Sequence, residues 1–317
     1  MSARLVTGRL DRLDVSTVHR QVVVRPAMCG AHSLFTGQVG DWTWDAVAQV
    51  CDADVLAARN PDGDPTYLAF YYYHVRGGPQ AHVGGLTFGD HLDVVSKVYG
   101  CGAESVLTLH KISVNSPSAG QDFTSADFFD YPDPSCIYVQ NFNRWVCRSA
   151  PGSNSGLKRS SPEGFMHAHL PSLPERHSPR RVYGLAKRAG RFRGPGQAPT
   201  KPVAQVEFRY ELDASRDVNG VGLMYFASYH AIIDRGIWTL WRRLGRTDSS
   251  FVSRVVLDHK LCYLRNAELG SSLQLRVRLS SPPGDSGSEI YDVELFEAES
   301  REALAIASVV IATSEVS

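Results

Sequence analysis

This 317-residue sequence predicts an α+β fold in which two tandem antiparallel sheets are each wrapped around a long central helix. Three observations carry that expectation. A strand, a glycine-rich loop and an apolar helix follow one another twice, over 21–51 and again over 203–244. The two copies align: placing Gly30 on Gly220 sets Leu34 on Met224 and Phe35 on Tyr225, while Gly-Asp-His-Leu-Asp-Val at 89–94 matches Gly-Ser-Ser-Leu-Gln-Leu at 270–275. Two matches at nearly the same offset and in the same element order read as an internal repeat. The length, finally, suits two domains of about 150 residues.

Taken in order, residues 1–20 are polar and supply an entry strand or loop. A strand is expected over 21–26 and a loop over 26–33. Ser33 or Thr36 is placed to cap a helix running to about Cys51, with Val39, Trp42, Val47 and Val50 along it. Asn-Pro-Asp-Gly-Asp-Pro at 60–65 is a turn. The aromatic and β-branched run at 66–76 is a strand, ended by Gly-Gly-Pro. Strands at 91–98, 104–114 and 136–147 complete a first unit, 1–148. Residues 149–202 carry ten Lys or Arg against two acidic residues, with abundant Ser, Gly and Pro. They read as a surface linker, partly mobile. The second unit, 203–317, opens with a strand at 203–211 and a helix at 224–244. In that helix Met224, Phe226, Ala227, Ile232, Ile233, Ile237, Leu240 and Trp241 recur mostly at helical spacing. Strands at 252–264, 272–279, 289–297 and 303–312 follow.

Lysine plus arginine equals aspartate plus glutamate, at 33 each, which argues against wholesale nucleic-acid binding. No apolar run approaches a membrane span and no leader is visible, so a cytoplasmic, membrane-free protein is expected. Six cysteines lie scattered without Cys-x-x-Cys spacing, so reduced thiols are expected rather than disulfides or zinc.

The loop at 217–222 holds Asp, Asn and two glycines and precedes Tyr-Phe-Ala-Ser-Tyr at 225–229. It resembles the thioesterase-type hot-dog domains, where Asp-x-x-Gly precedes Tyr-x-x-Ser/Asn-Tyr. The fold so implied is a double hot dog, and the ligand class is an acyl thioester of coenzyme A or of a carrier protein's phosphopantetheine. Over the whole chain, three segments extend the likeness: Met-Cys-Gly-Ala-His-Ser-Leu-Phe-Thr-Gly-Gln-Val-Gly-Asp-Trp-Thr-Trp at 28–44, Pro-Thr-Tyr-Leu-Ala-Phe-Tyr-Tyr-Tyr at 65–73, and 217–234. They are similar to the bifunctional acyltransferase/decarboxylases of leinamycin-type polyketide antibiotic pathways. That resemblance implies loss of the carboxylate of methylmalonyl-CoA and delivery of a propionyl group to an acyl carrier protein. It implies a catalytic tyrosine, best matched by Tyr67, with Tyr71–Tyr73 close enough in sequence for a register error. No cofactor is implied beyond the CoA thioester as substrate and the carrier's phosphopantetheine as acceptor.

Decarboxylation leaves an enolate, so donors must face the thioester oxygen. Backbone N–H groups of the Gly30 and Gly220 loops, at helix starts, are candidates. Phe35, Trp42 and Phe70 offer apolar walls that solvate a carboxylate poorly. A tyrosine nucleophile needs a cation or base nearby, for which His32 is the first candidate, whereas a tyrosine that only donates a hydrogen bond needs neither. The residues alone leave both schemes open. Ser33 and Asp217 are candidate substrate contacts and Asn219 a candidate catalytic residue. Each has a plainer reading: Tyr67 as a packed strand residue, His32 as part of a helix cap, Asn219 and Asp217 as an Asx turn. Cys29 ranks below Tyr67 as a nucleophile. The basic segment, including Lys158, Arg159, Arg180, Arg181, Lys187, Arg188, Arg191 and Arg193, is either simply solvated or contacts CoA phosphates or an acidic carrier. Alternatives from other classes are a thioesterase using Asp217 as base, a dehydratase, and a non-catalytic carrier-binding module. Two hot dogs in one chain already form the pair that single ones make by association, so monomer and homodimer are both compatible.

Overall fold

The computed structural model describes residues 8–116, 122–130, 132–154, 156–192, 202–282 and 287–313. In the first half β1 (Leu10–Arg12) pairs with β2 (Thr17–Val23), and a loop leads into α1 (His32–Cys51). Then come β3 (Tyr67–Arg76), β4 (His91–Gly100), β5 (Ser105–Val114), the short α2 (Ser125–Phe129) and β6 (Cys136–Arg148). The middle segment adds β7 (Leu157–Arg159) and α3 (Pro179–Ala189). The second half runs β8 (Ala204–Glu211), α4 (Phe226–Arg243), α5 (Asp248–Val252) and β9 (Val256–Tyr263). It ends with β10 (Ser272–Ser280), β11 (Ser288–Glu297) and β12 (Ala303–Ala312).

One continuous antiparallel sheet results, in the order β1-β2-β4-β5-β6-β3-β9-β12-β11-β10-β8, with β7 added to β6. Outward from the β3–β9 pair the order is the same in both directions: β6, β5, β4, β2 on one side and β12, β11, β10, β8 on the other. The repeat is therefore a property of the topology. Its register differs from the sequence match by one helical turn. The helices start at His32 and Phe226, an offset of 194 (226 − 32), whereas Gly30 on Gly220 gives 190. A four-residue slip preserves the helix face and so preserves the apolar pattern. The second match is structural: Gly89 and Gly270 take φ of 88° and 83° and lead β4 and β10.

Both long helices lie on one face of the sheet. Phe35, Val39 and Trp42 of α1 share a core with Tyr229, Ile233, Ile237 and Trp241 of α4. Tyr73 of β3 is fully buried there, and its hydroxyl donates to the Thr36 carbonyl at 2.9 Å. The helices approach closely because Gly40 carries no side chain: a Cβ there would stand 2.1 Å from Phe226 Cζ. Each fully buried side chain of this core contributes roughly 1.5–3 kcal/mol, against roughly 0.5–1.5 kcal/mol for each hydrogen bond between β3 and β9. Packing of α1 on α4 thus dominates the join between the halves.

The middle segment, expected as a partly mobile surface linker, carries two packed elements. β7 pairs with the end of β6. α3 crosses the opposite face of the sheet, setting Val182, Tyr183 and Ala186 against Tyr71, Tyr72 and Cys262. Its apolar positions have helical spacing, but the basic residues between them hide it. Arg193 lies outside the described residues. Covering both faces explains the tyrosine run of β3, where Tyr73 points into the helix layer and Tyr72 toward α3. The strand expected over 252–264 is shorter, because α5 takes its start. No helix among the described residues is long and apolar enough to cross a membrane.

Candidate active site

The site is built where two strands part. β3 and β9 pair only from Tyr72 opposite Cys262 to Arg76 opposite Asp258. Toward Tyr67, β3 stays on β6, while the chain leaving β9 turns away through Leu264, Arg265 and Asn266. The gap is a slot of about 420 Å³. Trp44, Phe70, Met224, Phe226, Tyr229 and Tyr263 line it within the helix layer. Tyr71, Leu264 and Lys187 line it at the α3 face. Tyr67, Asn219 and Val221 also line it, bringing β3 against the loop before α4. Phe226 stacks on Phe70 with ring centroids 4.2 Å apart, which fixes one wall.

Beside the slot, Arg148 Nη1 donates to Tyr67 Oη at 3.3 Å, and the guanidinium lies 5.7 Å from the phenol ring centroid. Arg148 Nη2 donates to Val221 O at 2.6 Å and to Asn154 Oδ1 at 3.1 Å. Its Nε is buried without a partner. None of these acceptors is a carboxylate, so the cation sits among neutral groups next to the phenol. Asn154, 1% exposed, donates through Nδ2 to Gly222 O at 2.7 Å, and its N–H reaches Glu268 Oε1 at 3.0 Å. This network ties the end of β6 to the loop of the other half. Because Arg148 occupies an acceptor position of Tyr67 Oη, and no described residue accepts from that oxygen, the phenolic hydrogen is free for a ligand.

The loop is self-supporting. Asn219 Oδ1 accepts from the N–H groups of Val221 at 3.1 Å and Leu223 at 3.0 Å, an Asx turn. Only its Nδ2 remains for a ligand. Asp217 is 1% exposed and accepts from Tyr210 Oη at 2.8 Å, the Asp213 N–H at 3.0 Å and Arg216 Nε at 3.3 Å. Its oxygens hold the loop, and it does not line the slot. The left-handed residue of this loop is Gly222, with φ 76°, and not Gly220, which is exposed. No side chain caps α4 at Tyr225, so the free donors at the helix start belong to Phe226 and Ala227.

The expected partnership of His32 with Tyr67 is not what the fold produces. His32, with the Gly30 loop (φ 97°), Cys29 and Ser33, belongs to the opposite end of the seam. There Asp234 and Arg254 pair at 2.8 Å and His82 is a neighbour. Burial pushes the His32 imidazole down to about 4, so it is neutral near pH 7. For Asp234, burial pulls upward, but Arg254 and the nearby imidazoles hold its carboxyl below the usual range. The β3–β4 connection, which corresponds to the β9–β10 connection along the slot, buries Ala81, Val83 and Leu86 in the helix-layer core. Phe35 and Trp42 are core residues in an edge-to-face pair with ring centroids 6.0 Å apart, and neither lines the slot. Cys29 is buried, its Sγ 3.6 Å from Arg25 O.

The fold therefore brings Tyr67 and Asn219 together and gathers His32, Gly30 and Ser33 elsewhere. Sequence reading missed Arg148, Tyr263 and Asn266. The available signal for Arg148 was a cation at the very end of the strand, but Arg144 within it and the basic residues from Lys158 onward mask that signal.

A family model described as the LnmK N-terminal hot dog fold domain matches residues 19–194, more than half of the chain. The match runs past β6 and so takes in β7 and α3. Among solved structures, the 12:0-ACP thioesterase from Umbellularia californica is similar at 12% identity and TM-score 0.55, covering 93% of each chain. A putative oleoyl thioesterase from Lactobacillus plantarum gives 8% identity and TM-score 0.54 over 95% of this chain and 96% of that one. An acyl-ACP thioesterase from Bacteroides thetaiotaomicron VPI-5482 gives 9% and 0.51 over 93% and 97%. At such identities the likeness is one of fold. No curated protein matches the sequence.

Proposed function

Because the chain belongs to the family of the LnmK N-terminal hot dog fold domain, we propose that it is an acyltransferase/decarboxylase. In this reading it converts methylmalonyl-CoA to a propionyl group on an acyl carrier protein. The observation that carries the reading is the donor pair at the slot. Tyr67, with its hydrogen free and Arg148 behind it, stands near the uncapped start of α4.

The chemistry follows from those groups. The pantetheine arm enters the slot and the acyl group lies among Phe70, Phe226, Tyr229 and Tyr263. The bond to the carboxylate carbon breaks, carbon dioxide leaves, and the electron pair moves into the enolate of the propionyl thioester. Tyr67 Oη and the N–H groups of Phe226 and Ala227 donate to the enolate oxygen, and an aromatic wall disfavours the solvated carboxylate. After protonation of the α-carbon, the carrier's thiolate attacks the carbonyl and CoA leaves as its thiolate. Direct transfer is favoured over an acyl-tyrosine because, among the described residues, the slot lining contains no carboxylate or imidazole to take the phenolic proton. The same absence weighs against the thioesterase and dehydratase readings, which need such a base.

Incubating the full chain with methylmalonyl-CoA, with and without carrier protein, tests this by mass spectrometry. Propionylated carrier is the expected product. Free methylmalonate would indicate a thioesterase instead, and an unchanged mixture a binding module.

A further inference from the structure

At the α3 mouth of the slot the chain concentrates positive charge without neutralising it. Arg144 of β6 lies with its guanidinium 4.7 Å from the ring centroid of Tyr71, a slot residue, and its Nε is buried without a partner. Tyr71 in turn packs against Tyr183 of α3, centroids 5.8 Å apart. Arg180, one turn before Tyr183, donates only to the carbonyl of Cys101, and Lys187, one turn after it, lines the slot itself. Arg159 of β7 has Glu104 no nearer than 4.0 Å. Among the described residues no carboxylate pairs with Arg144, Arg180 or Lys187. Burial, and then the like charges of Arg159 and Arg180, pull Arg144 below the usual arginine range, so the cations are near enough to repel one another. Lys187 also sits in the last turn of α3, where a cation favours the helix end. That accounts for a lysine there, but not for Arg144 of β6, Arg159 of β7 and Arg180 at the start of α3 lying close enough together to repel one another beside Tyr71 and Tyr183.

We propose that Arg144, Arg159, Arg180 and Lys187 form an anion receptor at the outer mouth of the slot, taking the phosphate at the far end of a pantetheine arm. This rests on the reading that the slot holds such an arm. The shared chemistry is the phosphate on the 4′-oxygen of pantetheine, which occurs as the pyrophosphate of CoA and as the phosphodiester of a carrier protein. Guanidinium and ammonium donors suit it through charge-assisted hydrogen bonds. An arm entering past Tyr71 places its thioester toward Tyr67 and Phe226 while its phosphate remains with the cations.

Calorimetric titration of the full chain with pantetheine, 4′-phosphopantetheine and 3′-dephospho-CoA tests the proposal. The two phosphorylated compounds should bind more tightly than pantetheine. Lys187→Ala and Arg159→Ala should each close that gap by about tenfold, the low end for a charge-assisted hydrogen bond, and weaken the salt dependence; Arg159→Ala, outside the slot lining, should leave pantetheine affinity unchanged. Lys187→Arg should keep the gap. Equal loss for both phosphorylated ligands supports a phosphate common to CoA and carrier; loss confined to 3′-dephospho-CoA supports the receptor for CoA alone. Equal binding of pantetheine and 4′-phosphopantetheine to the wild type, or a gap that both alanine variants retain, would overturn it while leaving the slot reading intact. If none of the three compounds binds, the pantetheine reading itself fails and the receptor with it.

Discussion

Replacing Tyr67 by Phe removes one oxygen and leaves the ring on the slot wall. Among the described residues that oxygen makes one hydrogen bond, donated by Arg148 at 3.3 Å, and Arg148 keeps Val221 O and Asn154 Oδ1 as acceptors. The expected loss of stability is therefore small, about 0.5–1.5 kcal/mol, and a thermal melt should show an intact fold. The loss of activity should be much larger. If the hydroxyl donates to the enolate oxygen, its removal costs about 2.7–4 kcal/mol of barrier, a fall of roughly 10²–10³ in turnover. Helix-start donors at Phe226 and Ala227 remain, so turnover should not vanish. The assay is release of carbon dioxide from methylmalonyl-CoA together with mass spectrometry of the quenched protein. Wild-type turnover in Tyr67→Phe would remove the hydroxyl from the mechanism. A propionyl group found on the wild-type chain, absent from the variant, would replace the donor role with a nucleophilic one.

Three further outcomes follow from the same geometry. Gly40→Ala puts a methyl 2.1 Å from Phe226 Cζ; the variant should lose about 1–3 kcal/mol of stability, read by urea unfolding, and turnover should fall because Phe226 walls the slot. Asn154→Ala leaves Gly222 O without its 2.7 Å donor and Arg148 as the remaining tie from β6 to the loop, costing about 1–3 kcal/mol and raising KM more than it lowers kcat in a steady-state assay. Acid should destabilise the fold early. Burial lowers His32 and His259 to about 4 and His110 to about 3, from an ordinary 6.5. With folded values depressed, the unfolded chain takes up protons first. Their stabilising effect is complete above about pH 6.5 and is lost as pH falls toward 4, at up to roughly 1.4 kcal/mol per pH unit for each group. Denaturant midpoints that stay flat from pH 7 to pH 5 would contradict this.

The alternation of apolar residues, the two long helices and the duplicated layout were legible in the chain because each depends on local periodicity. The strand–loop–helix order survives even a one-turn error in matching Gly30 to Gly220, since the helix face is unchanged by four residues. Helix α3 was not legible, because its three inward side chains are outnumbered by basic ones. Tyr67 and Asn219 were reachable through motif resemblance. Their neighbours were not: Arg148 meets Tyr67 only because β3 lies beside β6, and meets Val221 only because the two halves share a sheet. His32 went astray for the mirrored reason. The repeat places its loop and the Asn219 loop at opposite ends of the seam, so proximity to a motif in sequence said nothing about which end Tyr67 faces.

Linking both halves in one polypeptide allows them to differ, and they do: the β3–β4 connection buries Ala81, Val83 and Leu86 in the core, whereas Leu264, Arg265 and Asn266 after β9 line a slot. Two identical subunits related by a twofold axis would carry two doorways or none. Among the described residues one such doorway opens at the seam, so a single equivalent of ligand per polypeptide is the expected stoichiometry for that site.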